Sequence, residues 1–175
     1  MREALPLLGV SLFFLLAIGG VIAVVVAMNG NQRKLQAASW QAFAERYGGQ
    51  FRPGSGAFGG NEIRFPLPHT HVVVRTVMVS AMEAVGSPIF SDGGTYTLVS
   101  GPYPRRNGPT LKVPGPMART LPGAVGQAGA YLPPGALLAS SAAEATVVFP
   151  GAVVSEHPLW AGLSVVAALT SSHSA

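Results

Sequence analysis

His69 and His71 are the residues whose type and spacing come nearest to a site for chemistry. At a strand's period of two, both imidazoles of an H-x-H pair point to one face, the usual way in which two ligands meet one metal ion. Glu62, Glu83 and His157 would complete such a site in space, giving a metal-dependent enzyme or a metal sensor, but nothing in the sequence brings them together. The competing reading is of proline-flanked surface histidines on an edge strand. We adopt that reading and keep a metal site of His69 and His71 as the alternative.

Other reaction chemistries fail on spacing. The H-x-H pair resembles the opening of the cupin metal motif, in which a carboxylate follows after three or four residues; here those positions are Arg75 and Thr76, and a cation there repels a metal. Gly54, Gly56 and Gly59 fit G-x-G-x-x-G, but a dinucleotide loop needs a strand before it and a helix after it. In this chain a helix precedes with only "QFR" between, and "NEIRFPLP" cannot open a helix through its prolines. No P-loop lysine follows, so "PGSGAFGG" reads as a flexible connector. "PGSGA" is not a serine elbow, and Asp92, the single aspartate, sits in a turn beside glycines. One Asp and six Glu are a thin supply for paired carboxylates. The sequence therefore predicts no catalytic residue and no cofactor.

The elements around these residues begin with an uncharged run at 5–28, "LPLLGVSLFFLLAIGGVIAVVVAM", in which 15 residues are Leu, Ile, Val or Phe. About 20 such residues in a helix span a bilayer core, so the run predicts a transmembrane helix after a tail at 1–4. A cleaved signal peptide, giving a secreted protein, is the rival; its apolar region should be only about 7–15 residues. Arg33, Lys34 and Arg46 outweigh Arg2 and the terminal amine, which predicts the plasma (inner) membrane with the C-terminal domain in the cytoplasm. Gly19, Ala23 and Ala27 form a small-residue stripe suited to helix packing in the membrane.

Residues 29–49 read as a juxtamembrane amphipathic helix, with Trp40, Phe43, Ala44 and Tyr47 on one face, Asn31 as its cap and Gly48 as its stop. A Gly-rich connector at 50–60 leads to a small β-rich domain at 61–175. There "HVVVRTVMVS" is the clearest strand, "SDGG" and "PRRNGP" mark turns of a meander, "TVVF" and "AVVS" suggest a hairpin, and a helix over "EHPLWAGLSVVAALTSS" docks on the sheet. The stretch 120–145 carries no assignable pattern. The fold class expected is α+β, a transmembrane helix followed by a small antiparallel-sheet domain with flanking amphipathic helices.

Charge narrows the partners. Charged residues are 10% of the 175, the net charge is +4, and no cysteine is present for disulfides or thiolate metal sites. Basic residues do not cluster with aromatics along one stripe, which argues against nucleic acid. Arg33 and Lys34, and Arg105, Arg106 and Lys112 around the "PRRNGP" turn, are the residues placed to face anionic lipid or a protein partner, with the bilayer itself as first partner. The order of a single span, a basic step and "W-x-x-F-A-x-x-x-G-G-x-F-x-P-G" (Trp40 to Gly54) resembles uncharacterised single-pass membrane proteins of GC-rich bacteria. The resemblance implies architecture and no activity. The function expected is that of a membrane-anchored, non-catalytic binding or scaffold module.

Overall fold

The computed structural model describes residues 20, 30–55, 59–67, 70–87, 89–103, 111–141 and 143–171. The chain divides into two compact units, Met1–Leu35 and Gln36–Ala175. In the first, the described residues 20 and 30–35 are helical and exposed.

Among the described residues no helix is long and apolar enough to cross a membrane. This corrects the expectation of an N-terminal transmembrane helix in a single-pass protein. The described helices lack the length or the composition. Helix α1, residues 30–47, carries Arg33, Lys34, Glu45 and Arg46. The final helix, Glu156–Ser171, has 16 residues, about 24 Å of rise against roughly 30 Å of hydrocarbon. The run 5–28 lies outside the described residues except for Gly20, and Gly19, Ala23 and Ala27 lie outside with it.

From Gln36 onward α1 belongs to the second unit and buries Gln36, Trp40, Phe43 and Ala44, one helical face at i, i+4, i+7 and i+8. It ends where Gly48 takes φ +74° and the Gly49 N–H donates to the Ala44 carbonyl at 2.7 Å, a closure that needs glycine's left-handed freedom. Gly30 is already helical, so Asn31 stands inside the helix rather than capping it. Tyr47, placed on the buried face by its spacing, is 40% exposed; its ring rests on Phe43 and its hydroxyl turns to Glu156.

The elements then run β1 (Gln50–Arg52), β2 (Glu62–Leu67), β3 (Thr70–Val79), α2 (Ala81–Ala84), β4 (Gly94–Pro102), β5 (Leu111–Pro114), α3 (Gly115–Ala118), α4 (Gly123–Gly129), β6 (Leu137–Ser140), β7 (Glu144–Pro150) and α5 (Glu156–Ser171). The seven strands among the described residues form one antiparallel sheet in the order β1-β2-β3-β4-β7-β6-β5, and the fold is α+β. One face carries the main core: Ile63, Phe65, Val72, Val74, Val99, Leu138, Val147 and Phe149 pack with α1, α4 and α5, whose Leu159, Val165 and Val166 are fully buried. Gly162 lets α5 lie close to the sheet, since a Cβ there would meet Phe149 and Val99 at 3.0 Å.

The expected meander from β4 through "PRRNGP" does not form: β7 lies beside β4, and β5 sits at the far edge on β6. The side chains explain the exchange. Ala145 through Phe149 of β7 are buried on both faces, as a central strand requires, whereas β5 exposes Lys112 and ends in Pro114. Pro66 is tolerated in β2 because β1 pairs only with residues 62–64, leaving that end at the sheet edge.

The expected hairpin across Pro150 and Gly151 is instead an irregular segment sewn down by side chains. Thr97 Oγ1 donates to the Gly151 carbonyl at 3.1 Å and accepts from the Val153 N–H at 3.0 Å. The Trp40 indole N–H donates to the Val153 carbonyl at 2.8 Å, with Gln36 Nε2 on the same oxygen and the Ser39 hydroxyl on the Val154 carbonyl. Nearby, Glu156 accepts from Arg46 at 2.8 and 2.9 Å and from the Tyr47 hydroxyl at 2.8 Å, linking the end of α1 to the start of α5.

Two outcomes follow from this lock. Trp40→Phe removes the indole donor and should cost about 1–3 kcal/mol in urea unfolding, while Trp40→Ala should cost about 3–5 kcal/mol; a loss under about 0.5 kcal/mol for Trp40→Ala, the level of ordinary surface changes, would contradict its place in the core. The Tyr47 hydroxyl and then the Arg46 guanidinium hold the Glu156 carboxyl below the ordinary glutamate range. A lowered folded value stabilises above the unfolded value of about 4.3 and loses that effect as pH falls through the folded one. Thermal melts of the parent and Glu156→Gln should therefore differ at pH 7 and converge in acid.

Candidate functional site

The strands alternate, and what one face buries fixes what the other presents. In β1, Phe51 faces the core and Gln50 and Arg52 face outward; in β2, Ile63, Phe65 and Leu67 face inward and Glu62, Arg64 and Pro66 outward. In β3, Val72 and Val74 face inward while His71, Val73 and Arg75 share the outer face. The register then aligns Arg52, Glu62 and Arg75 in one row across three strands, with Arg64 in the next row beside Gln50 and Val73.

The result is a compact basic surface of three guanidinium groups against one carboxylate. Arg64 Nε donates to Glu62 Oε1 at 2.6 Å, with side chains 42% and 27% exposed. Arg52 and Arg75 are exposed and form no ion pair with another described residue. An exposed pair such as Arg64–Glu62 contributes little to stability. Its effect here is to hold one guanidinium against the sheet while two stand free. This face of β1–β3 offers no Phe, Tyr or Trp ring, because Phe51 and Phe65 point into the core; its ring is the exposed imidazole of His71. Further across, Tyr96 lies on the same face but is buried against Phe90, 4.9 Å between ring centres.

Each residue singled out in the sequence has a definite place or none. His71 is exposed on the open face, and His69 lies outside the described residues. Glu62 is opposite Arg75, four residues along β3 from His71, about 13 Å of strand. Glu83 sits on α2, and His157 meets Tyr131 edge to face at the opposite side of the sheet, 6.3 Å between ring centres. Among the described residues no group of three or more His, Asp or Glu is placed to hold a metal ion. Arg33 and Lys34 are exposed in the first unit, and Arg105 and Arg106 lie outside the described residues. Lys112 shares the open face but stands on β5, five strands from Arg64, about 24 Å away.

Of the spaced glycines, Gly54 and Gly59 lie between β1 and β2 and Gly56 lies outside the described residues; a strand, not a helix, follows them. Gly54 and Gly59 close that loop on itself, since a Cβ at either would overlap backbone atoms. On the open face Ser100 Oγ and Thr146 Oγ1 share a buried hydrogen bond at 3.0 Å. That bond joins β4 to β7 and leaves Ser100 engaged with a hydroxyl rather than with His71.

The triplet Arg52, Arg64 and Arg75 is absent from the sequence reading. Each arginine alternates with an apolar neighbour in its own strand, which is visible, but only the register places the three together. Compared with known protein families, with curated proteins and with solved structures, the chain matches none.

Proposed function

We propose that this chain is a non-catalytic binding module that takes an acidic segment of a partner protein on the open face of β1–β3. The observation that carries this reading is the alignment of Arg52, Arg64 and Arg75 on one solvent-facing surface against the single carboxylate of Glu62. Arginine forks suit carboxylates, which they bind through paired N–H groups. A face without Phe, Tyr or Trp rings suits a partner recognised through charge rather than through bases, which single-stranded nucleic acid would present. The pattern also serves the free protein: Arg52, which ends the three-residue edge strand, and Pro53, which follows it, discourage pairing between copies.

The test uses fluorescein-labelled poly-glutamate, followed by anisotropy against the intact chain. Binding should weaken steeply between 50 and 300 mM salt, settings chosen because screening acts on exposed charges over about 10 Å at 0.1 M. Arg52→Glu with Arg75→Glu should weaken it about tenfold or more, the equivalent of roughly 1.4 kcal/mol, and Glu62→Gln should strengthen it. The neutral changes Arg52→Gln and Arg75→Gln should leave unfolding free energy within about 0.5 kcal/mol, which separates recognition from folding. Equal affinity of the charge-reversed protein for poly-glutamate, or tighter binding of a mixed-sequence oligonucleotide than of poly-glutamate, would overturn the reading.

A further inference from the structure

A second surface, of opposite character, lies where β3 passes into α2. Ser80 and Glu83 form a reciprocal cap: the Glu83 N–H donates to Ser80 Oγ at 3.2 Å and the Ser80 N–H to Glu83 Oε2 at 2.8 Å. This fixes the short helix with Ala84 buried against the sheet, and so leaves Met82 88% and Val85 83% exposed. Met78, at the end of β3, is 56% exposed. Met78 lines a surface depression of about 430 Å³ together with Val79, Ser80, Glu83, Gly94 and Thr95, and Met82 and Val85 stand on either side of Glu83, in α2 and at its C-terminal end.

Met82 and Val85 are the most exposed large apolar side chains among the described residues, and covering them would remove apolar area from water. Methionine suits a contact surface, because its unbranched thioether adapts to the shape set against it. Charge selects the occupant. From Thr76 to Tyr103 the sequence holds Glu83 and Asp92 and no Lys, Arg or His, a local reversal in a chain of net charge +4. The Ser80 backbone N–H, and then its hydroxyl, hold the Glu83 carboxyl below its ordinary range, so it is an anion at neutral pH. The turn bearing Asp92 packs on the start of α2, since a Cβ on Gly93 would come within 2.7 Å of the Ala81 nitrogen.

We infer that Met78, Met82 and Val85, with Glu83 at the depression, form a docking site for an apolar protein segment that carries a lysine or arginine beside its apolar anchor. The thioethers and Val85 cover the apolar side chain, and Glu83 receives the cation. An anionic lipid surface is disfavoured by the two carboxylates. This surface stands on observations separate from the arginine face and binds the opposite charge, so the chain would bring two different partners together.

The probe is a labelled amphipathic peptide of alternating leucine and lysine blocks, titrated into the intact chain enriched with 13C in its methionine methyl groups. Met78 and Met82 methyl signals should shift on titration while Met117, exposed on α3, serves as the internal reference and should not. Met82→Gln with Val85→Ser, both at positions over 80% exposed, should weaken binding about tenfold. Glu83→Gln keeps a side chain able to complete the cap and should remove the salt-dependent part of the affinity. Unchanged binding in the Met82→Gln/Val85→Ser protein, equal binding of a leucine–glutamate peptide, or self-association that this double change abolishes would each overturn the inference. Poly-glutamate binding at the arginine face is expected to be unaffected in either case.

Discussion

The unit Gln36–Ala175 depends throughout on the register of one antiparallel sheet whose main apolar face is shared by all its long strands. Ile63, Phe65, Val72, Val74, Val99, Val147 and Phe149 reach the same side only because the pairings Ile63 with Val74, Val74 with Val99 and Val99 with Val147 are in phase. Burying each such side chain is worth about 1.5–3 kcal/mol. A one-residue slip of β2 or β3 would send that set to solvent and bring Arg64 or Arg75 into the core, where an unpaired charge costs several kcal/mol. The basic surface is therefore fixed by the same constraint that fills the core. The arginines need no local structure of their own to be held in line.

The core face is closed by helices whose placement rests on a few directed contacts. Trp40, fully buried, contributes both ring area and an N–H aimed at Val153, and the same irregular segment is held from the sheet side by Thr97. One stretch of backbone thus satisfies α1, β4 and the approach to α5. Among the described residues no comparable cover lies over the outer face of β1–β3. Among the described residues the α2 excursion, with Ile89 and Phe90, packs against Val79, Tyr96, Leu98 and Val148. The two candidate surfaces occupy what that partial cover leaves: arginines on the bare strands, and Met82 and Val85 on the cover itself, with Met78 at the end of β3 next to it.

Local patterns in the chain disclose the elements that interact with their own neighbourhood. The helical spacing of Trp40, Phe43 and Ala44, the β-branched run at 72–74 and the apolar length of the last helix each correspond to a buried face. Long-range choices leave no such trace. Nothing near "PRRNGP" says that β7 will displace β5 from the side of β4, because the decision compares two distant strands for burial on both faces. Hydropathy at 5–28 suggests a spanning helix that the described helices do not supply. Tyr47 has the spacing of a core residue but sits in the last turn of α1, where Glu156 gives its hydroxyl a partner outside the core. The arginine site is illegible for the same reason as the topology: Arg52, Arg64 and Arg75 are 12 and 11 residues apart in sequence, and only strand pairing makes them neighbours.

The most direct test of the central claim is to record backbone amide shifts of the intact, isotope-labelled chain while poly-glutamate is added. If β1–β3 form the recognition surface, the largest changes fall on Arg52, Glu62, Arg64 and Arg75 and diminish together with added salt. Changes centred on Arg33, Lys34 or Lys112, or spread evenly over all basic residues, would contradict it.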